Sequence, residues 1–337
     1  MPHGDRPILA VIGANGFVGG AAYRAAAKQS GWQARPITRS IRESGAVADV
    51  RDTAALKAVL AGADVIIHAA SYIGDDPVIC ATVNVQGTLN VATRAAAEGA
   101  RLVYLSTAAV YGRGPHEMVV ECALPVRPAS PRSASRADAE QIVLDHGGMV
   151  VRPHLVTGTG DHWVGPGILA LTRALGGLVD DGIARHSVIE VEMLGQLLVS
   201  LASAGPSSAG VFHAANLVPL TTRQLCETLW QDAPPLSSVS ALDAAQIANE
   251  LPQIKHALDL LATDHTFDSR AVKAATGVPL GDPFELPQAA LDWYRALRPA
   301  GLELRVVSDL GPRPSDQAGV PIHVDQRPGL HPTSLGC

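Results

Sequence analysis

The sequence predicts an α/β protein, a doubly wound parallel sheet followed by a smaller lobe. Three observations predict it. Short apolar runs alternate with alanine-rich helical segments through the first half of the chain. The first of those runs ends directly in a glycine-rich turn. The length of 337 residues, 47% hydrophobic and 17% charged, supplies core enough for one large domain with a covering lobe.

Taken in order, Ile8–Ile12 reads as a buried strand and Gly16–Lys28 as the helix after it. Gln33–Thr38 is the second strand and Ala46–Val50 a short third. Thr53–Ala61 follows as a helix, Asp64–His68 as a strand, Val83–Glu98 as a helix and Arg101–Leu105 as a strand. Ser133–His146 and Met149–Arg152 complete the alternation, which implies right-handed crossovers. Beyond Pro153 the rhythm loosens. Ile168–Leu175, Glu192–Ala204 and Thr221–Gln231 read as helices, the last with Thr221 or Thr222 as N-cap, and Val211–Ala215 as a strand. Residues 1–156 with parts of 185–216 are expected to form the sheet domain, 157–298 mainly the substrate-covering lobe, and 299–337 an irregular, proline-containing tail.

Composition excludes several classes. A net charge of −6 argues against nucleic acid and anionic membrane surfaces as partners. No apolar run is long enough to span a bilayer, and Met1–Arg6 lacks signal-peptide architecture, so the cytoplasm is the expected location. Cys80, Cys122, Cys226 and Cys337 form no Cys-x-x-Cys pair and have no His at ligand spacing; they read as buried or incidental thiols, and no metal site is expected.

Gly13-Ala-Asn15-Gly16-Phe17-Val18-Gly19 follows the first strand and opens the first helix. Glycines there permit a tight turn and close backbone approach to a pyrophosphate, while the helix start offers free N–H groups. The sheet is therefore expected to be of the Rossmann type and to bind a dinucleotide. The end of the second strand selects which one. An acidic residue there would hold ribose hydroxyls; this chain has Thr38-Arg39-Ser40, where Arg39 can grip a 2′-phosphate and Ser40 can donate to it. NADPH/NADP+ is the expected cofactor.

With these residues the chain resembles the extended short-chain dehydrogenase/reductase superfamily. Further matches are Asp49-Val50-Arg-Asp52, His68-Ala69-Ala70-Ser71, Asn84-Val-Gln-Gly-Thr-Leu-Asn90, Leu105-Ser-Thr107-Ala-Ala-Val-Tyr111-Gly112 and Val151-Arg-Pro153. Weaker echoes at Val211–Asn216, Phe267–Arg270 and Leu291–Tyr294 extend the likeness over about residues 7–298. The resemblance implies that Asp49 and Val50 flank the adenine and that Ala69, Ala70 and Ser71 line the ribose and pyrophosphate path. Asn84 joins the cofactor-binding set, and Pro153 packs near the nicotinamide.

The same resemblance exposes a departure. Thr107 aligns with the hydroxyl residue that holds a substrate carbonyl. Arg132 and Arg136 lie 25 and 29 positions on, where the superfamily carries Tyr and Lys. A guanidinium does not release its proton near neutral pH. Arg136 could still hold the nicotinamide ribose, and Arg132 could stabilise a developing oxyanion. A second departure is Val191-Glu-Met193 where relatives often carry a Val-Asp-Asp-like segment.

The missing proton has to come from elsewhere. Tyr72, Tyr111, His154 and His162 are candidate donors, with Tyr72, Tyr111 and His154 expected to touch substrate. Alternatively the substrate supplies the proton: a ketone beside an acidic phenol leaves a phenolate. On that basis the chain is similar to tyrosine-less tailoring ketoreductases of aromatic polyketide antibiotics, of the angucyclinone C-7 type known from simocyclinone biosynthesis. The main expectation is an NADPH-dependent ketoreductase acting on an aromatic polyketide, as a monomer or homodimer. One alternative is a nucleotide-sugar 4-ketoreductase or epimerase, for which only Arg173 and Arg185 offer themselves as a diphosphate clamp in 158–186. The other is a non-catalytic NADPH sensor.

Overall fold

The computed structural model describes residues 6–40, 45–204, 210–231, 236–251, 254–280 and 284–297. The expected tail, 299–337, lies outside them.

A seven-stranded, fully parallel sheet forms the centre. Strand β1 (Ile8–Ile12) lies between β2 (Gln33–Thr38) and β4 (Val65–His68); β3 (Ala46–Val47) closes one edge beside β2. On the other side of β4 come β5 (Arg101–Leu105), then the strand Met149–Pro153, then Gly210–Ala214 at the far edge. The inner strands are buried on both faces, which is why they read as continuous apolar runs rather than alternating ones. The third strand is shorter than Ala46–Val50, because the backbone leaves the ladder after Ala48 N–H reaches the Thr38 carbonyl.

Helix α1 (Phe17–Ala27) packs along the helix Val191–Ser203. Small residues allow a close approach: a Cβ on Gly195 would lie 2.6 Å from the Ala21 carbonyl carbon. Leu194, Leu197, Leu198 and Leu201 are fully buried in the layer this creates. Helix α2 (Thr53–Val59) is capped by Asp52, whose carboxylate accepts from Ala54 and Ala55 N–H. On the opposite face, the expected helix Val83–Glu98 begins earlier and is not uniform. Pro77–Ile79 (α3) runs into a π-helical turn, Cys80–Gln86, and then into α4 (Gly87–Glu98). A widened turn of that kind redirects side chains and often marks a functional position. Helix α5 (Pro131–Asp145) starts in a Ser130/Ser133 capping box with Pro131 at its first position.

Strands too short for pattern reading build the rest. A four-stranded mixed sheet runs Leu220–Thr221, Arg185–His186, His265–Phe267, His116–Val119. Its last strand comes from the segment between β5 and α5, so the first half of the chain contributes an edge to the lobe's sheet. Thr221 caps the helix Thr222–Leu229 through a capping box with Gln224. Cys80 and Cys226 are buried free thiols. Cys122 is disulfide-bonded, which departs from the expectation of four thiols. Among the described residues no helix is long and apolar enough to cross a membrane.

Candidate active site

Strand order brings the candidate residues together. In a parallel sheet the strands' C-terminal ends share one edge, and here β1, β4 and β5 are neighbours. The turn after β1, the segment after β4 and Thr107 after β5 therefore lie side by side.

The turn after β1 is closely packed and free of bulky side chains. Gly13 has φ +86°, and a Cβ on it would stand 2.8 Å from Ala70 N. A Cβ on Gly19 would meet the Gly13 carbonyl oxygen at 2.2 Å, so the first turn of α1 presses directly on the loop. Gly16 caps α1 without any side-chain acceptor, leaving the early N–H groups to an incoming anion. Asn15 is exposed, and Phe17 and Val18 are half-buried behind the turn. Side chains that would fill this cradle are missing from the sequence, so the residues fit a dinucleotide pyrophosphate.

Arg39 and Ser40 are exposed beyond β2. Asp49 is held by Arg51 through bonds of 2.9 and 2.7 Å. That hydrogen-bonded guanidinium keeps the Asp49 carboxyl below its ordinary range, with a smaller pull from the Arg39 charge. Val50 is buried, and Ala69, Ala70 and Ser71 are partly buried beside Gly13.

Asn84, expected at the cofactor, is 1% exposed and has another task. Its Oδ1 accepts from Tyr72 N–H at 2.7 Å, and its Nδ2 donates to the Tyr72 carbonyl at 3.1 Å and to Ser135 Oγ at 2.9 Å. The π-helical turn thus ties the segment after β4 to helix α5.

Thr107 is half-buried at the end of β5, and its Oγ accepts from Ala109 N–H at 3.2 Å. One of its two lone pairs is used, and the hydroxyl proton remains to be donated. The two arginines do different things. Arg136 is 8% exposed; it donates to the Leu105 carbonyl and lies over the Tyr104 ring, 5.2 Å from its centroid. Its Nε has no partner. Burial, with the Arg136 charge added, pushes the neighbouring His68 imidazole down to about 3. Arg132 instead reaches the segment after β4, donating to the Ile73 carbonyl and pairing with Asp75 at 3.7 Å.

Tyr111 and His154 depart from expectation. Tyr111 is 4% exposed; its hydroxyl accepts from Arg152 Nη1 at 2.8 Å and lies 2.7 Å from His213 Nε2. Arg152 is paired on its other side with Glu140 at 2.6 Å. His154 stacks against both His186 and His265, which also lie against each other, and its Nε2 is sealed from solvent without a partner. Burial lowers the His154 pKa well below that of a free imidazole. Both belong to a packed polar cluster, which commits the Tyr111 hydroxyl and deprives His154 of a proton to give. His162 lies edge-on against Trp293. Pro153 is buried where its strand pairs with Ala214.

Sequence reasoning missed that cluster. His116, His154, His186, His213 and His265 come from five separated segments, and His116 and His265 face each other at 3.0 Å between Nδ1 atoms. The available signal was a histidine in or just after each of several short strands. Among the described residues no group of three or more His, Cys, Asp or Glu side chains is placed to hold a metal ion.

A family model described as the NAD dependent epimerase/dehydratase family matches residues 9–199. No curated protein matches the chain. Among solved structures, the chain is similar to the Bordetella bronchiseptica enzyme WbmH in complex with NAD+, with a TM-score of 0.67 at 18% identity over 87% of this chain and 100% of that one. It is similar to the UDP-glucuronic acid 4-epimerase of Bacillus cereus in complex with NAD, at 0.65 and 16%, covering 86% and 99%. The RMD protein of Pseudomonas aeruginosa complexed with NADPH gives 0.62 and 20%, covering 86% and 97%.

Proposed function

Because the chain belongs to the NAD dependent epimerase/dehydratase family, we propose that it is an NAD(P)-dependent oxidoreductase that reduces a ketone, preferring NADPH. One observation carries the reading. Thr107 keeps a donatable hydroxyl at the end of β5, while both positions of the usual proton-exchanging pair hold guanidiniums. An epimerase needs one group that removes a proton and later returns it. Arginine does neither near pH 7. Reduction needs one proton, delivered once, which a source outside α5 can supply.

The cofactor supplies a hydride to the carbonyl carbon. The chain supplies the rest: backbone N–H groups after Gly16 for the pyrophosphate, Arg39 and Ser40 for the 2′-phosphate, and the Thr107 O–H for the carbonyl oxygen. Arg136, fixed on the Leu105 carbonyl, adds a positive charge beneath the reaction edge as the alkoxide forms.

The substrate we propose is a nucleotide-linked keto sugar. The likeness to a UDP-glucuronic acid 4-epimerase supports it, and Arg173 and Arg185 stand exposed on the lobe. A second reading, an aromatic polyketide ketone beside a free phenol, is favoured by the guanidiniums at the acid position, since that substrate brings its own proton. The test is loss of NADPH absorbance with nucleotide keto sugars, angucyclinone-type quinones and their phenol methyl ethers, each repeated with NADH. Turnover of the keto sugars with NADPH is expected. Turnover of the free phenol alone, with none for its methyl ether, selects the second reading. Tight NADPH binding with no ketone reduced overturns both.

A further inference from the structure

The segment after β4 is held more firmly than a loop at the mouth of a cleft requires. Asn84 reads both backbone groups of Tyr72, and Ser135 locks Asn84 to α5. Arg132, standing where the superfamily's proton donor would be, fastens the next carbonyl, Ile73, and pairs with Asp75. Cys80 Sγ lies 3.4 Å from the Gly74 carbonyl. Four side chains from two helical segments thus fix one short stretch against the start of α5.

That stretch carries a phenol. The Tyr72 side chain is partly exposed and folds back over Gly74 so closely that a Cβ there would fall 2.2 Å from its hydroxyl oxygen. Of the five tyrosines, Tyr104, Tyr111 and Tyr294 are buried, at 1%, 4% and 0% exposure. Burial raises the pKa of all three, so none is an easy proton source. Tyr23 lies on α1, packed against the core cluster. Tyr72 is left, four residues past β4, the strand that lies between β1, which leads into the glycine turn, and β5, which leads to Thr107.

We propose that Tyr72 is the proton donor of this enzyme and that Arg132 and Asn84 are its positioning residues. The inference rests on the ketone-reduction reading. As the carbonyl carbon gains its hydride from the reduced nicotinamide, the carbonyl π pair becomes a lone pair on oxygen. That oxygen forms a new O–H bond with the proton released when the Tyr72 O–H bond breaks, and water returns a proton to the phenolate. The acid has thus moved from helix α5 to the neighbouring segment, and the residue at its former position holds it there.

The test compares wild type with Tyr72→Phe and Gly74→Ala; the second keeps the phenol and displaces it. Expected for Tyr72→Phe is a fall in kcat of about 100-fold or more, the usual contribution of a general acid, with KM and NADPH affinity unchanged. Gly74→Ala should lower kcat in the same direction. A readout independent of activity is acetylation by N-acetylimidazole with peptide mapping: Tyr72 should be labelled in the folded enzyme, and more slowly once NADP+ is bound. Full kcat in Tyr72→Phe, or no label at Tyr72, overturns the inference and leaves ketone reduction standing. Absence of turnover by wild type with every ketone overturns the reduction reading and this inference with it.

Discussion

The glycine turn and the proposed reaction edge lie at the same edge of the sheet and are built in opposite ways. At Gly13–Gly19 side chains have been removed, and the backbone itself makes the site. Along α5 side chains crowd in: Arg136 on the Leu105 carbonyl, Arg132 on the Ile73 carbonyl, Ser135 on Asn84, and Glu140 on Arg152. A backbone site tolerates no added atom. A side-chain site tolerates exchange of its members as long as charge and hydrogen bonds balance. On the proposed reading, this difference is why guanidiniums can stand at the acid/base positions while the glycine turn keeps its form.

The largest expected effect breaks the reaction edge. Glu140 and Arg152 are 2% and 6% exposed, and Arg152 also donates to Tyr111. Glu140→Ala leaves a buried guanidinium without its counter-charge, which costs about 3–5 kcal/mol. Urea unfolding should show that loss. Glu140→Leu combined with Arg152→Met should recover most of it, since removing both charges removes the desolvation penalty. If the single and double variants are equally unstable, the pair is not the electrostatic unit its geometry indicates.

The imidazoles that border this edge give the next effect. Burial holds His186, His213 and His265 at about 4, with the Arg152 charge adding to the effect on His213 and His116 to that on His265. In the unfolded chain they return to about 6.5. Between those values the unfolded state binds more protons, so stability rises with pH: it is full above about 6.5 and is lost as pH falls toward 4. Each imidazole that titrates separately contributes about 1.4 kcal/mol per pH unit in that window. Glu121 and Glu190, whose carboxyls burial pushes up, act with opposite sign above the ordinary carboxylate range. A fall in unfolding free energy is therefore expected as the pH drops from about 6.5 toward 4. A flat profile there would mean that the cluster takes up protons while folded.

The contrast also explains what the sequence made legible. The parallel sheet and the glycine turn that follows its first strand are local consequences of apolar runs and glycines, and each can be read within about twenty residues, whereas the strand order is set by pairing across the fold. Thr107, Arg132 and Arg136 were singled out because they stand at the spacings of the frame the chain resembles. The directions of the two arginines were not legible. Arg136 turns inward to a strand carbonyl and Arg132 across to the segment after β4, choices set by neighbours 31 and 59 positions away. Tyr111 and His154 show the same limit: sequence order put them near the chemistry, whereas pairing with Arg152, His213, His186 and His265 put them in the packed cluster. Asn84 matched a motif, yet its bonds go to Tyr72 and Ser135. Side-chain partnerships made across the fold have no local signature.

The smallest expected change in stability tests the backbone side of the comparison. Gly13→Ala adds one methyl group at φ +86°, facing Ala70 N at 2.8 Å. A non-glycine residue in that conformation costs about 1–3 kcal/mol, less than orphaning Arg152. The loss of function should exceed the loss of stability, because on the proposed function the displaced turn is the surface that meets the pyrophosphate. NADPH affinity, followed by fluorescence titration, is expected to fall by about 100-fold, the equivalent of two hydrogen bonds at about 1.4 kcal/mol each. Asn15→Ala, on the exposed side of the same turn, should change it little. Equal losses in the two variants would mean that the turn binds through its side chains, and the distinction between the two ends of the site would collapse.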